Sequence, residues 1–236
     1  MTKKIPELSL FFPFWNEEEN IEKVVNKAAN FISDITVKWE ILMVDDGSSD
    51  RTNEIAKKLE QTNPAHLRVI HHSPNRGYGA ALKEGFKNSK YKVVAFIDGD
   101  DQFDVSEITK FLDLIGLVDI VIGKRDKRQD HPFRHILMYL LKIWDFILFG
   151  FYFPDIDCGF KVFKKSAIDK LMPLKSEGAM ITTEILAKAK KEKLTIAQVV
   201  VKHYPRKFGN QTGGNIRVIT RAIIESLMLW VYLWKK

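Results

Sequence analysis

Four times in the first hundred residues, a short apolar run of β type breaks into a polar cluster and then into an amphipathic helical pattern. The runs are Glu7–Phe12, Trp39–Val44, Leu67–His71 and Val93–Ile97. Strand–helix alternation of this kind predicts a parallel sheet built by right-handed crossovers. It also sends each polar cluster to one edge of that sheet, outside the carboxyl ends of the strands, where open α/β sheets take their ligands. The most informative cluster is the last, Asp98-Gly99-Asp100-Asp101-Gln102. Along an extended chain Asp98, Asp100 and Gln102 point the same way. Hard oxygen ligands without His or Cys suit Mg²⁺ or Mn²⁺, which complete their shells with phosphate and water. The plain alternative is an acidic turn, with Asp104 as an N-cap for the helix from Val105.

The other clusters carry weaker signals of their own. Pro13 ends the first run, and Asn16 and Glu17 follow in a loop suited to base or ribose recognition. Glu18 and Glu19 sit where acidic residues complement a helix dipole. Asp45-Asp46-Gly47-Ser48 reads as a tight turn that caps a helix, or as carboxylates that accept hydrogen bonds from a nucleotide. Asn75-Arg76-Gly77-Tyr78-Gly79 opens another helix, with Arg76 available to a diphosphate. A dinucleotide fingerprint is weak here, because its third glycine position is Leu82.

Composition narrows the class. The chain has 236 residues, 45% hydrophobic and 28% charged, which is ordinary for a folded domain. A single cysteine, Cys158, excludes an internal disulfide and suits a reducing compartment. No signal peptide is expected, and no run reaches the ~18 apolar residues of a spanning helix. Charge divides unevenly: residues 1–120 carry 15 Lys+Arg against 20 Asp+Glu, and residues 121–236 carry 22 against 10. A basic second half suits nucleic acid, an anionic membrane surface or a phosphorylated substrate. Clustered aromatics for base stacking are not evident, which argues against nucleic acid. The run Lys188–Lys193 reads as solvated surface, and His131/His135 lack a third zinc ligand.

Together the motifs Pro13-x-x-Asn16-Glu17-Glu18, Val44-Asp45-Asp46-Gly47-Ser48-x-Asp50-x-Thr52, Asn75-x-Gly77-x-Gly79-Ala80 and Asp98-x-Asp100-x-Gln102 resemble those of family 2 glycosyltransferases, in order and in spacing. Asp157-Cys158-Gly159-Phe160-Lys161-Val162-Phe163 and His203-Tyr204-Pro205-Arg206 extend the resemblance to the dolichyl- and polyprenyl-phosphate sugar synthases, to about residue 214. Two departures stand out: Phe14-Trp15 where a small residue and Tyr are usual, and Asn210-Gln211-Thr212 in place of Ser-Lys.

The resemblance implies a GT-A fold, a Rossmann-like mostly parallel α/β sheet with amphipathic interfacial helices in the C-terminal half. It implies a glycosyltransferase domain over 1–214, divided into a nucleotide-sugar half (1–123) and an acceptor half (124–214), and a C-terminal amphipathic helix over 215–236. The implied reaction is metal-dependent inverting transfer of a hexose, GDP-mannose favoured over UDP-glucose as donor, to a polyprenyl or dolichyl phosphate. The implied donor site comprises Pro13, Asn16, Glu17, Asp45, Asp46, Arg76, Gly77, Asp98, Gly99, Asp100 and Arg206. Catalytic roles fall to Asp100, Arg125 and Asp157, with the cation (Mg²⁺ or Mn²⁺) on Asp98, Asp100 and Gln102. Arg125, Arg128 and Arg134 are assigned to the acceptor, and Glu184 is placed loosely near the reaction centre.

From the residues themselves, Asp119–Gly123 reads as a strand leading to a basic loop, Lys124–Arg128. The apolar stretch His135–Phe153 reads better as a helix against lipid or a partner than as a core helix. Cys158–Phe163 and Thr195–His203 read as strands, and Thr182–Lys191 as a helix. Pro205–Gly214 reads as a Gly-rich closing loop, and Ile216–Trp234 as an interfacial helix. The location expected is cytoplasmic, on the inner face of the membrane, and the partners expected include a second copy of the chain, as a homodimer, or a membrane partner. Two other readings are open to the sequence: a transferase acting on a sugar hydroxyl, with Asp157 or Asp101 as base, and a binding module without catalysis.

Overall fold

The computed structural model describes residues 5–126, 143–209 and 216–234, with side chains of the last helix from Ile223 onward. The four predicted strand–helix units form as β1 (Ile5–Phe14), α1 (Ile21–Ile35), β2 (Thr36–Asp45), α2 (Thr52–Thr62), β3 (Leu67–His71), α3 (Tyr78–Asn88) and β4 (Val93–Ile97). A 3₁₀ turn (Val105–Glu107), α4 (Ile108–Ile115) and β5 (Ile120–Arg125) follow. The remainder is helix α5, described over 143–149, then β6 (Phe160–Lys164), α6 (Lys165–Leu171), α7 (Ile181–Lys191), β7 (Ile196–Val201) and α8 (Ile216–Trp234).

One seven-stranded sheet runs in the order β3-β2-β1-β4-β6-β5-β7. The pairs β2–β3, β1–β2, β1–β4 and β5–β7 are parallel. Strand β6 runs antiparallel to both neighbours, inserted between β4 and β5. Its position explains why it mattered for the site: β6 begins where β4 ends, so Gly159 and Asp98 meet. The central strands are apolar on both faces, as covering helices require. Leu8, Leu10, Phe12 and Ile41 face one core layer, and Phe11, Leu42, Val44 and Phe96 face the other.

Two boundaries differ from the sequence reading. Helix α1 starts at Ile21, so Glu18 and Glu19 precede it, and Glu18 instead holds Arg51 at 2.9 Å. Lys124 and Arg125 belong to β5, paired with Val200 and Val201, so the basic loop begins later than Lys124. Arg128 and Arg134, with residues 135–142 of the apolar stretch, lie outside the described residues. Within that stretch α5 is divided: Phe149 is buried, whereas Phe146 and Ile147 are exposed. Helix α8 behaves alike, burying Ser226, Leu229 and Leu233 and exposing Ile224, Met228 and Val231. The two helices touch, with Trp144 Nε1 donating to Ser226 Oγ at 2.8 Å. Among the described residues no helix is long and apolar enough to cross a membrane.

Candidate active site

The acidic cluster after β4 is a turn, not an extended run. Asp101 takes a left-handed φ of 58°, so the alternation that would align Asp98, Asp100 and Gln102 does not operate. Tertiary contacts place the three residues instead. Asp98 N donates to Gly159 O at 2.8 Å, and Tyr78 donates its hydroxyl to Asp98 Oδ1 at 2.8 Å. Gln102 N donates to Asp100 Oδ1 at 3.2 Å. The Gln102 amide nitrogen donates to Tyr204 O at 2.9 Å, which leaves its amide oxygen as the group able to ligate. Asp104 caps the following turn by accepting from Ser106 N, as the plain reading of the acidic stretch expects.

Two basic groups from the second half of the chain meet this turn. Arg206 reaches Asp100 Oδ2 at 3.4 Å and also pairs with Glu17 Oε1. Lys161 is fully buried, donates to Cys158 O and lies 5.4 Å from the centre of the Phe96 ring. Loss of solvent and the Asp100 charge push Asp98 up to about 7. Burial likewise raises Asp100, against the opposing pull of Arg206. Burial raises Glu17 too, and burial lowers Lys161. Two half-buried carboxylates that resist ionising together are a fit donor set for a hard dication. Among the described residues no three His, Cys, Asp or Glu side chains converge. A cation here would therefore take its remaining ligands from Gln102, substrate or water.

A second cluster forms where β1, β2 and β3 end. Asn16 N donates to Ser48 Oγ at 2.9 Å, and Ser48 donates to Asp45 Oδ1. His71 Nδ1 sits 2.7 Å from Asp45 Oδ2. Asp46 accepts from Arg76 N at 3.0 Å, Gly77 N at 2.7 Å and His72 Nδ1 at 2.6 Å. Gly77 has φ 100°, and a Cβ there would come within 2.6 Å of Glu177 O, so only glycine suits this turn. The Arg76 guanidinium is exposed, 3.8 Å from Glu177. Pro13 lies in β1 beside Val44, with its carbonyl against the Gly99 turn.

Arg125 stands apart from both clusters in its present contacts. Its guanidinium makes a bidentate pair with Asp155, at 2.8 and 2.6 Å. Burial acts to lower its pKa, but Asp155 outweighs that and leaves it raised. Asp157 is exposed, with Thr182 Oγ1 at 3.5 Å. Glu184 is fully buried on α7 and accepts from Lys175 N and Ser176 N, so it shapes the loop that packs against Gly79. Tyr78, Asp155, Gly159, Lys161 and His71 gained no role from the sequence. Gly159 and Lys161 lie within the Asp157–Phe163 motif and Tyr78 lies between Gly77 and Gly79, which was the available signal.

Residues 9–172 match the profile of glycosyl transferase family 2. The chain belongs to that family. Among curated relatives, the chain is 30% identical over 219 residues to a dolichyl-phosphate beta-glucosyltransferase of Saccharomyces cerevisiae, covering 82% of this chain and 66% of that protein. It is 26% identical over 230 residues to a dodecaprenyl-phosphate galacturonate synthase of Rhizobium johnstonii, covering 96% and 67%. The chain thus spans about two thirds of the length of the relatives it matches. A solved structure of glucosyl-3-phosphoglycerate synthase from Mycobacterium tuberculosis, in complex with Mn²⁺, uridine-diphosphate and glucosyl-3-phosphoglycerate, superposes with a TM-score of 0.70. It covers 95% of this chain and 80% of that one at 18% identity, a likeness of fold. The GT-A architecture expected from the motifs is therefore the one observed.

Proposed function

We propose that this glycosyltransferase moves a hexose from a nucleotide diphosphate sugar to a polyprenyl or dolichyl phosphate, with inversion, in the presence of Mg²⁺ or Mn²⁺. The observation that carries it is the Asp98–Asp100 turn at the carboxyl end of β4, with Glu17 and Arg206 packed against it. When bound, a divalent cation neutralises the diphosphate and the charge that builds on the leaving nucleotide. Asp98, Asp100 and the Gln102 amide oxygen would hold it. Arg206 and Arg76 would meet the phosphates, and the first half of the chain would hold the donor.

The acceptor phosphate is already anionic, so the reaction asks for cationic side chains more than for a base. Arg125, Arg128 and Arg134 serve that role in this reading, with Arg125 released from or shared with Asp155. Asp157 faces the donor sugar or the acceptor. The exposed apolar faces of α5 and α8 support a lipid acceptor over a soluble sugar hydroxyl, since unpaired faces of this kind mark membrane or partner contact. The polyprenyl and dolichyl substrates in the relatives' names point the same way. Two of those names give glucose as the sugar, so the glucose donor weighed above, UDP-glucose, is the first to test, ahead of GDP-mannose.

The test is incubation with labelled UDP-glucose or GDP-mannose, Mn²⁺ and a polyprenyl phosphate. A labelled product extracted into organic solvent supports the reading. Transfer only to a water-soluble sugar favours the hydroxyl acceptor, and no transfer from any nucleotide sugar rejects both.

A further inference from the structure

The sequence singles out Asp45 as a reader of the nucleotide, and the fold engages both of its carboxylate oxygens internally. Asp45 is fully buried at the end of β2. Its Oδ1 takes Ser48 N at 3.1 Å together with the Ser48 hydroxyl, and its Oδ2 faces His71 Nδ1 at 2.7 Å. Asp46 is as fully engaged, by two backbone N–H groups and His72. What reaches the surface from this cluster is the far side of a ring. His71 pairs in register with Asp45 across β2 and β3, at the carboxyl end of the sheet's edge strand, and its side chain is 33% exposed.

A carboxylate only accepts, so the neutral His71 ring carries its proton on Nδ1 and presents a bare lone pair at Nε2. That atom has no hydrogen-bond partner among the described residues. The neighbouring His72 makes the matching contact with Asp46, but is buried to 6% exposure and so has no access to a ligand. The chain Asn16–Ser48–Asp45–His71 thus fixes one acceptor, with a set tautomer, beside the loops assigned to the donor.

We propose that His71 reads the nucleobase of the donor, accepting the imide N–H that uracil and guanine carry and that cytosine and adenine lack, with Asp45 as its positioning residue. This rests on the reading that a nucleotide sugar binds at the ends of β1 and β2.

Calorimetric titration in Mn²⁺ tests it, with UDP, GDP, CDP, ADP and inorganic pyrophosphate as probes. Wild type should bind UDP or GDP more tightly than CDP and ADP. His71→Ala should lose roughly tenfold for the preferred nucleotide, the scale set by one buried donor left unpaired, with pyrophosphate affinity unchanged. His71→Gln, which restores an acceptor, should recover part of the loss. Asp45→Asn should lose selectivity without losing pyrophosphate. Wild type that binds no nucleoside diphosphate overturns the donor reading and this inference with it. Nucleotide binding in His71→Ala equal to wild type overturns the inference alone. Equal weakening of UDP and pyrophosphate would make His71 a structural residue and also overturn it.

Discussion

Asp98 and Gly159 occupy one another's space: a Cβ placed on Gly159 would lie 1.8 Å from Asp98 Oδ2. The contact follows from antiparallel pairing of β6 with β4, which brings the residue before β6 onto the residue after β4. Glycine at 159 is therefore a condition for the carboxylate to sit at the strand end. Gly159→Ala should displace Asp98 and lower cation-dependent turnover about 10²-fold, while thermal unfolding moves by a few degrees. Wild-type turnover in that variant would mean Asp98 is free to settle elsewhere.

Asp100→Ala should abolish turnover, by roughly 10²-fold or more, through loss of a ligand to the diphosphate-bound cation. Burial already disfavours the ionised Asp100, so its removal should leave unfolding close to wild type. Activity with Mn²⁺ near the wild-type level would reject the assignment.

The raised Asp98 carboxyl predicts a pH dependence of cation binding. Held up to about 7, it is protonated below neutrality and must lose that proton to ligate. Mn²⁺ affinity should rise between about pH 5.5 and 7.5 with release of up to one proton, then level off. Calorimetry in buffers of different ionisation enthalpy measures the proton count. Affinity that is flat across this range would contradict it.

Asp145 on α5 is pushed up to about 7, by burial first and by the Asp157 charge second. Its folded pKa exceeds the unfolded value, so the folded state binds the extra proton. Stability from this group is fully present below about pH 4 and is lost as pH rises through about 7. Asp145→Asn should flatten that decline, raising stability at pH 8 by on the order of 2–4 kcal/mol. Denaturant titrations at pH 5 and pH 8 compare the two proteins.

The exposed faces of α5 and α8 predict membrane attachment that salt weakens. Ile147 and Met228 are 68% and 67% exposed, on helices that pack against each other. Wild type should co-sediment with anionic liposomes at low salt, and the pair Ile147→Asp with Met228→Asp should stay in the supernatant. Replacing Arg128 and Arg134 should weaken binding by about 1 kcal/mol per charge, leaving nucleotide affinity alone. Wild type that remains in the supernatant would reject the lipid-facing role.

The sequence by itself determined the repeated strand–helix plan and the four polar clusters at one sheet edge. It did so because hydrophobic period and turn residues are local signals, read within ten residues of chain. The Asp98-x-Asp100-x-Gln102 spacing and the glycines around Arg76 belong to that level. Tertiary structure alone decided what each polar group touches. Strand β6 enters the sheet antiparallel from sixty residues on, bringing Gly159 and Lys161 to Asp98, and Arg206 arrives from the end of β7. Asp45 illustrates the limit most plainly. Its motif marks it as polar and near a ligand, but β3 places His71 beside it and buries it, so the side chain facing outward is one that no spacing rule connects to it. Hydrogen-bond partners separated by 26 residues are set by strand register, and register is a property of the assembled sheet.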